Sequence, residues 1–362
     1  MMIFLLVTLL IIGFCLFGIL YILRQLWKQT FLQQNKVLRW LVTVIILVLI
    51  GIGIRFDYVN TFIVLLHVII IWFIIDGLRH LIGKIKHQTI KTYWTAIITL
   101  ILCFSYLGYG YYQAHHVITT HYTIKTSKSI DKNLRIVQIS DSHIGATFHA
   151  EGFKKHMQTI QSLHPDLIVV TGDYVDDDTT RKDMLASTKA LGQIKSTYGT
   201  YFVYGNHDKG YMNYRNFSAQ DLEASLKENN IHILNDESVQ IAKHITVVGR
   251  QDAQTASNRK SAQALMQSID SKQYVIMLDH EPTDYINEAN SHPDLVLSGH
   301  THGGQMFPIG ITGELSGAND MTYGIKTMED TTFIVNSGIS DWAIKFKTGG
   351  AKAEMGVIDI EK

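Results

Sequence analysis

The sequence predicts an α/β fold in which two packed sheets lie between outer helices (four layers, αββα), preceded by an α-helical transmembrane region. Before residue 115 the chain consists mainly of long apolar runs, whereas later apolar runs are short and end in polar residues. Short runs that alternate with helical patterns are typical of α/β layering. We therefore expect an anchor over residues 1–113, a linker with a first edge strand over 114–133, and a layered domain over 134–362.

Four apolar stretches are long enough to cross a hydrocarbon core, which needs ~20 residues of helix. They lie at roughly 2–23, 38–54, 61–78 and 93–112. The first lacks the basic flank and the small-residue cleavage site of a signal peptide, so we expect a retained helix. The second is the shortest, because Arg55 and Asp57 close it early. This pattern predicts a multi-pass anchor in a lipid bilayer.

The basic residues of the short connections predict the orientation of this anchor. They concentrate in the first and third connections, as Arg24, Lys28, Lys36 and Arg39 and as Arg79, Lys84, Lys86 and Lys91. The middle connection has only Arg55, beside Asp57. Loops rich in lysine and arginine face the cytoplasm, so the chain after residue 113 should lie on the outer face.

Charge and cysteine content limit the chemistry of the layered domain. The chain has 32 basic and 32 acidic residues, so its composition gives no indication of nucleic acid as a partner. Both cysteines, Cys15 and Cys103, lie in the apolar first region. A metal in the layered domain must therefore be held by nitrogen and oxygen ligands.

Length, β-branched content and flanking polar residues predict the elements of this domain. We expect strands at 134–139, 167–170, 200–204, 232–234, 239–241, 245–248, 274–278, 295–297 and 333–336. Helical patterns lie at 149–163, 180–196, 218–229, 258–269 and 283–290.

Two histidines one residue apart, His300 and His302, stand between glycines directly after the predicted strand 295–297. Neutral imidazole is the commonest metal ligand, and the glycines allow a tight turn that lets both rings face one point. Taken alone, the pattern is equally compatible with a polar turn that binds no metal.

Four earlier strand ends carry residues of the same kind. Asp141 and His143 follow the strand 134–139, Asp173 follows 167–170, Asn206, His207 and Asp208 follow 200–204, and His280 follows 274–278. In open α/β sheets the carboxyl ends of the strands form the crevice where ligands bind. Five such ends indicate one shared metal centre rather than separate solvated loops.

Carboxylates together with imidazoles suit a pair of divalent metal ions. Two cations ~3.5–4 Å apart need a bridging carboxylate, and they clamp the attacking and leaving oxygens of a phosphoryl transfer. Mixed nitrogen and oxygen donors suit Mn, Zn or Fe better than Mg or Ca. The residues do not distinguish among the first three.

The order D-x-H, G-D, G-N-H-D, a lone histidine and G-H-T-H over residues 141–302 resembles the signature of the calcineurin-like metallophosphoesterase superfamily. The resemblance implies the αββα sandwich of that family and a catalytic role for 134–362. It implies that one metal ion is bound by Asp141, His143 and His302, that the other is bound by Asn206, His280 and His300, and that Asp173 bridges both. It also implies that His207 contacts the phosphate and protonates the leaving oxygen, while a metal-bridging hydroxide attacks in line. Asp208 could orient His207 or cap the next segment.

Further residues are similar to a membrane-tethered bacterial branch that includes a UDP-diacylglucosamine pyrophosphatase and phosphodiesterases. The similarity lies in Gly303-Gly304-Gln305, Pro308, Tyr323-Gly324 and Asn336-Ser337-Gly338. Relatives in this branch tend to place an arginine near Phe346, where this chain has Lys345 and Lys347. Lysine keeps the positive charge but lacks the bidentate geometry of arginine.

These observations together predict a multi-pass protein of the bacterial cell membrane with its catalytic domain on the extracellular face. Its two divalent metal ions would hydrolyse a phosphodiester or pyrophosphate bond in a phosphorylated small molecule or a lipid-linked substrate. The alternative is a non-catalytic metal-binding scaffold, or a module that regulates a membrane protein.

Overall fold

A computed structural model describes residues 2–210 and 214–362, with side chains from residue 9 onward. The chain forms two compact units, one up to Tyr109 and one from Gly110 to Lys362. The five helices before the first strand are α1 (Met2–Trp27), α2 (Thr30–Gln34), α3 (Lys36–Phe56), α4 (Tyr58–Ile85) and α5 (Thr92–His115).

Four of these helices, α1, α3, α4 and α5, are long and apolar enough to cross a membrane, which confirms the predicted apolar helices. Helix α3, expected to be the shortest span, has 21 residues and the highest mean hydropathy, 2.6. Asp57 separates α3 from α4: it ends the first helix and caps the second by accepting a hydrogen bond from the backbone N–H of Asn60 at 3.1 Å. Large apolar side chains such as Trp40 and Leu49 are exposed, as expected for a lipid-facing surface.

The second unit contains two six-stranded sheets, ordered β1-β12-β2-β3-β4-β5 and β10-β11-β9-β8-β7-β6. Strands of the first sheet are β1 (Ile118–Lys125), β2 (Leu134–Ile139), β3 (Leu167–Thr171), β4 (Thr200–Val203), β5 (Ile231–Ile233) and β12 (Glu354–Glu361). Strands of the second are β6 (Glu237–Ala242), β7 (Ile245–Gly249), β8 (Tyr274–Leu278), β9 (Leu295–Ser298), β10 (Gly324–Met328) and β11 (Thr331–Val335). Strands β2 to β5 are mutually parallel, as are β7, β8, β9 and β11, so within each series the carboxyl ends point the same way.

Three clusters of buried side chains confirm the four-layer prediction. Alternate residues of one strand face opposite sides of a sheet, so Ile136 and Val137 enter different clusters. Val137 packs on the helical side, with side chains from α6 (Ala150–Ser162), α7 (Arg181–Gly192) and α8 (Ala219–Glu228). Ile136 lies between the two sheets. On the far side, α9 (Ala262–Met266) and α10 (Tyr285–Ala289) cover the second sheet.

Some elements differ from the sequence prediction. Strands β10 and β12 and the helix α11 (Ile309–Leu315) were not predicted, and the helical pattern at 258–269 yields only the short α9. Strand β12 lies inside the first sheet between β1 and β2, although its sequence contains glycine and three acidic residues. Two of these acids have partners: Asp359 accepts from Arg135 at 2.8 Å and Glu354 from Tyr323 at 2.9 Å. These partners allow charged residues in an interior strand.

Candidate metal centre

Loops after five strands, from both sheets, meet at the same edge of the sandwich. Loops after β2, β3 and β4 carry Asp141, His143, Asp173, Asn206 and His207, and loops after β8 and β9 carry His280, His300 and His302. Direct bonds connect the two sheets here, since the backbone N–H of His300 donates to Asp141 Oδ1 at 3.0 Å. Gln138 Nε2 likewise donates to the carbonyl of Ser298 at 2.9 Å.

Asp141, His143 and His302 form a first group whose ligand atoms lie within 4.8 Å of one another. The Nε2 atoms of His143 and His302 are 3.2 Å apart. His302 Nε2 lies 3.5 Å from Asp141 Oδ1. All three side chains are buried, so the polar atoms that face one another here need a common partner.

Asp173, His280 and His300 form a second group of the same kind. His300 Nδ1 lies 3.3 Å from His280 Nε2 and 3.2 Å from the side-chain oxygen of Asn206. The amide oxygen of Asn206 therefore adds a fourth donor to this group.

The Asp173 carboxylate connects the two groups. Its Oδ2 atom lies 3.3 Å from His280 Nε2 in the second group and 3.7 Å from His143 Nε2 in the first. The other oxygen, Oδ1, accepts a hydrogen bond from the backbone N–H of His207 at 2.9 Å. One carboxylate oxygen thus faces both candidate sites.

The outer nitrogens of two ligand histidines are bonded to acceptors. His280 Nδ1 lies 2.8 Å from the carbonyl oxygen of Thr171, which can only accept, so Nδ1 donates. His143 Nδ1 lies 2.9 Å from Asp176 Oδ2 and donates to it in the same way. This arrangement turns each Nε2 toward the centre, as is usual for histidines that bind metal. The residues present therefore fit divalent cations.

Nearby carboxylates favour the charged forms of His143 and His280. Burial lowers the pKa of His143, but the hydrogen bond to Asp176 and the charges of Asp173 and Asp176 outweigh it and raise that pKa to about 9. Burial is likewise outweighed at His280, where the charge of Asp173 holds the pKa well above its usual range. The surroundings of both rings therefore favour positive charge, and a bound cation would supply that charge in place of the protons.

The other two ring ligands favour the neutral form. Burial and the charge of His280 lower the pKa of His300 to about 4. Burial and the charge of His143 lower the pKa of His302 well below its usual range. Neutral imidazole is the form that binds metal.

The backbone around the ligands is unusual. Asp141, His143, Asp173, His300 and His302 have φ between 36° and 68°, in the left-handed region. Gly172 supports this packing, since a Cβ there would lie 2.5 Å from His280 Nδ1. Non-glycine residues in this region cluster at functional sites.

His207 and Asp208 have different surroundings. The His207 ring is half-buried, its Nδ1 lies 3.0 Å from Asp176 Oδ1, and it packs at the edge of the His143 ring. Asp208 is buried and accepts hydrogen bonds from the backbone N–H groups of Gly205 and Tyr174, both at 2.8 Å. The Asp208 carboxylate ties the loop after β4 to the loop after β3, and Asp176 is bonded to the His207 ring.

Residues 134–304 match the family described as calcineurin-like phosphoesterase. A metallophosphoesterase of Aquifex aeolicus is 31% identical over 210 residues, which cover 57% of this chain and 77% of that protein. A metallophosphoesterase of Campylobacter jejuni is 29% identical over 263 residues, covering 70% of this chain and 67% of that protein. The chain belongs to the calcineurin-like metallophosphoesterase family. Members of this family act on phosphorylated substrates with divalent metal ions, and the chain is therefore a metal-dependent phosphoester hydrolase.

A bovine transmembrane protein with a metallophosphoesterase domain is 28% identical over 240 residues, covering 62% of this chain. The match spans only 52% of the bovine protein's length. This likeness and the four apolar helices indicate that the present metallophosphoesterase is associated with a membrane.

Lys347 is placed differently from a residue that grips phosphate. It is buried, and its Nζ donates to the carbonyl oxygen of Ser337. Burial lowers its pKa, although the charge of Asp341 opposes this change. Lys347 therefore stabilises the loop after β11 by a buried hydrogen bond to its backbone.

Asp176 is the residue of this centre that the sequence analysis missed. Its two carboxylate oxygens serve different rings, Oδ2 for His143 and Oδ1 for His207. The one signal for it was its position three residues after Asp173, in the loop that follows β3. An acidic loop residue of this kind is easily taken for a solvated one.

Replacing Asp176 with asparagine should weaken metal binding. An amide has a single acceptor oxygen, so it can orient only one of the two rings, and it has no charge. We expect the Asp176→Asn variant to bind Mn²⁺ about 10–100-fold more weakly in one site, as for other outer partners of metal ligands. Titration calorimetry on the full chain would measure this. Asp178→Asn, at an exposed position of the same loop, is the control and should bind like the parent; equal affinities for both variants would contradict the role.

Proposed function

We propose that this metallophosphoesterase uses two divalent metal ions, held side by side, to hydrolyse a phosphodiester or pyrophosphate bond in an amphiphilic, membrane-resident substrate. The observation that supports two ions is the position of Asp173 Oδ2, which faces His280 Nε2 at 3.3 Å and His143 Nε2 at 3.7 Å. Two ligand groups that share one carboxylate fit a pair of cations better than a single ion.

The two groups divide the ligands as follows. Asp141, His143 and His302 would hold one ion, Asn206, His280 and His300 the other, and Asp173 both. The absence of thiolates and the four imidazoles favour Mn, Zn or Fe. When bound, such a pair supplies Lewis acidity toward the phosphoryl oxygens and lowers the pKa of water to near neutrality.

His207 is suited to donate a proton to the leaving oxygen. Burial lowers its pKa, but the hydrogen bond to Asp176 and the charge of Asp173 outweigh it, so the pKa is raised. The raised pKa favours the charged form of the ring. Because Nδ1 is directed at Asp176, Nε2 is the nitrogen that would deliver the proton.

Removing the His207 ring should slow turnover strongly and leave the ions bound. General acid catalysis contributes ~10²–10⁴-fold, so His207→Ala should lower the hydrolysis of bis(p-nitrophenyl) phosphate with Mn²⁺ by about that factor. Elemental analysis should still find both ions. His232→Ala, at an exposed position of β5, is the control and should hydrolyse at the parental rate. Unchanged turnover in His207→Ala, or no metal-dependent turnover in the parent, would refute the proposal.

His300 and His302 should serve different ions although one residue separates them. His302 Nε2 faces His143 in the first group, whereas His300 Nδ1 faces His280 in the second. In each single alanine variant, we expect one Mn²⁺ to be lost and the magnetic coupling of the pair to give way to a mononuclear EPR signal. The double variant should lose both ions. Loss of both ions from each single variant would rule out the division.

We propose that the catalytic domain lies on the outer face of a bacterial plasma membrane. The basic residues in the first and third connections support this orientation, because such loops stay in the cytoplasm. A lipid-linked or cell-envelope substrate would then be within reach.

Single cysteines introduced into a chain without Cys15 and Cys103 would test the orientation. Lys154→Cys in α6 should react with a membrane-impermeant maleimide in intact cells, whereas Lys86→Cys, after α4, should react only after permeabilisation. Both side chains are exposed, so accessibility differs only by the side of the membrane. The reverse labelling pattern would place the domain in the cytoplasm.

A further inference from the structure

Helix α11 has its apolar side chains on the outside. Ile309, Ile311 and Leu315 are 49%, 55% and 82% exposed, and Phe307 directly before the helix is 62% exposed. None of the residues of α11 is buried. A surface helix of a water-soluble domain has the opposite arrangement, with its apolar stripe toward the core.

The inner face of α11 is made of small residues and is fixed in place. Gly310 packs against the metal-binding loop so closely that a Cβ on Gly304 would lie 2.6 Å from Gly310 Cα. The hydroxyl of Thr322 donates to the Gly310 carbonyl at 3.0 Å, and its backbone N–H donates to Glu314 Oε1 at 2.8 Å. The helix therefore cannot rotate to bury its isoleucines without losing these bonds.

The exposed apolar residues are concentrated in this segment. Among described residues from Gly110 onward, it contributes four of the eleven large apolar side chains that are exposed. The exposed polar residues of this segment are Thr312, Glu314 and Ser316, and one oxygen of Glu314 accepts a hydrogen bond from the backbone N–H of Thr322. A concentration of exposed apolar side chains marks an interaction site.

The loop that precedes α11 is connected by hydrogen bonds to the end of α5, an apolar helix of membrane length. Within the second unit, the Gly110 carbonyl of α5 accepts from the backbone N–H of Lys347 at 2.9 Å. The next residue, Thr348, donates to the carbonyl of Gln305 at 2.8 Å, four residues before α11 begins. The chain also passes from α5 to β1 in two residues, His116 and Val117. Residues 110–115 of α5, which belong to the second unit, are therefore linked to the loop that leads into α11, and a bilayer reached by α5 is the apolar phase that the chain itself can supply.

We propose that Phe307 and the outer face of α11 insert into the interfacial region of that bilayer. A helix with an exposed apolar face is suited to the boundary between headgroups and acyl chains. A second copy of the chain is a poorer occupant, because a stable protein interface uses about 20–30 residues a side. Nine residues from Phe307 to Leu315 fall far short of that.

Fluorescence of a polarity-sensitive probe would test the insertion. The full chain, without Cys15 and Cys103, is labelled with NBD at Leu315→Cys and reconstituted in vesicles of phosphatidylethanolamine and phosphatidylglycerol. We expect blue-shifted emission that is quenched by doxyl-labelled lipid. Leu185→Cys on α7, also an exposed leucine of a helix, is the matched control and should show aqueous emission without quenching.

Three outcomes would overturn the insertion. Probes at 315 and 185 that behave alike would mean that α11 faces water. A blue shift without doxyl quenching, or cross-linking of 315 to 315 between chains, would mean that α11 packs on protein. Ile311→Cys, on the same face, provides a second position in case Leu315→Cys does not fold. The fluorescence measurement does not depend on turnover, so its result is independent of the proposed hydrolysis.

Discussion

The Asp173 carboxylate is the interaction on which the centre depends. Asp173 follows β3 of the first sheet, and its Oδ2 atom lies 3.3 Å from Nε2 of His280, which follows β8 of the second sheet. Its other oxygen fixes the backbone of His207 at 2.9 Å. The rings around it tend to carry positive charge, and a buried carboxylate needs such charge to stay ionised. The two sheets must therefore keep their relative position for either ligand group to exist.

A buried network of charges keeps the second sheet in that position. Arg250, which follows β7, donates to Asp279 at 3.0 Å and to Glu288 of α10 at 2.8 Å. Asp279 directly precedes His280, so the network reaches the ligand through one peptide bond. Removing one partner of a buried pair costs about 3–5 kcal/mol, because the other charge is left without compensation. On the first sheet Asp208 has the corresponding role, with backbone N–H groups as partners in place of arginine.

The parts of this structure that were predictable from sequence have short-range signals. Apolar runs gave the main strands, and the ligand types at their ends gave a shared metal site, because parallel strands bring their carboxyl ends together. Strand β12 was not predictable from such signals, because its acidic residues are typical of a surface segment. Their partners Arg135 and Tyr323 are distant in the sequence and are brought to them only by the fold. Asp176 was missed for a similar reason: its two histidine partners come from different loops. Helix α11 lacks an inward apolar stripe, so a search for amphipathic helices does not find it.

The conformation of the ligands shows what the rest of the domain must supply. Left-handed backbone at a non-glycine residue costs of order 1–3 kcal/mol and persists only where the surroundings impose it. Here the ligand loops impose it on one another: the backbone N–H of Asp141 donates to Gly172 and that of His143 to Asp173, both at 3.0 Å. His300 in turn donates to Asp141 at 3.0 Å. These bonds join loops after β2, β3 and β9, so tertiary contacts between the two sheets set the positions of the ligands. Ligands that are held in this way bind a cation at a low cost in ordering.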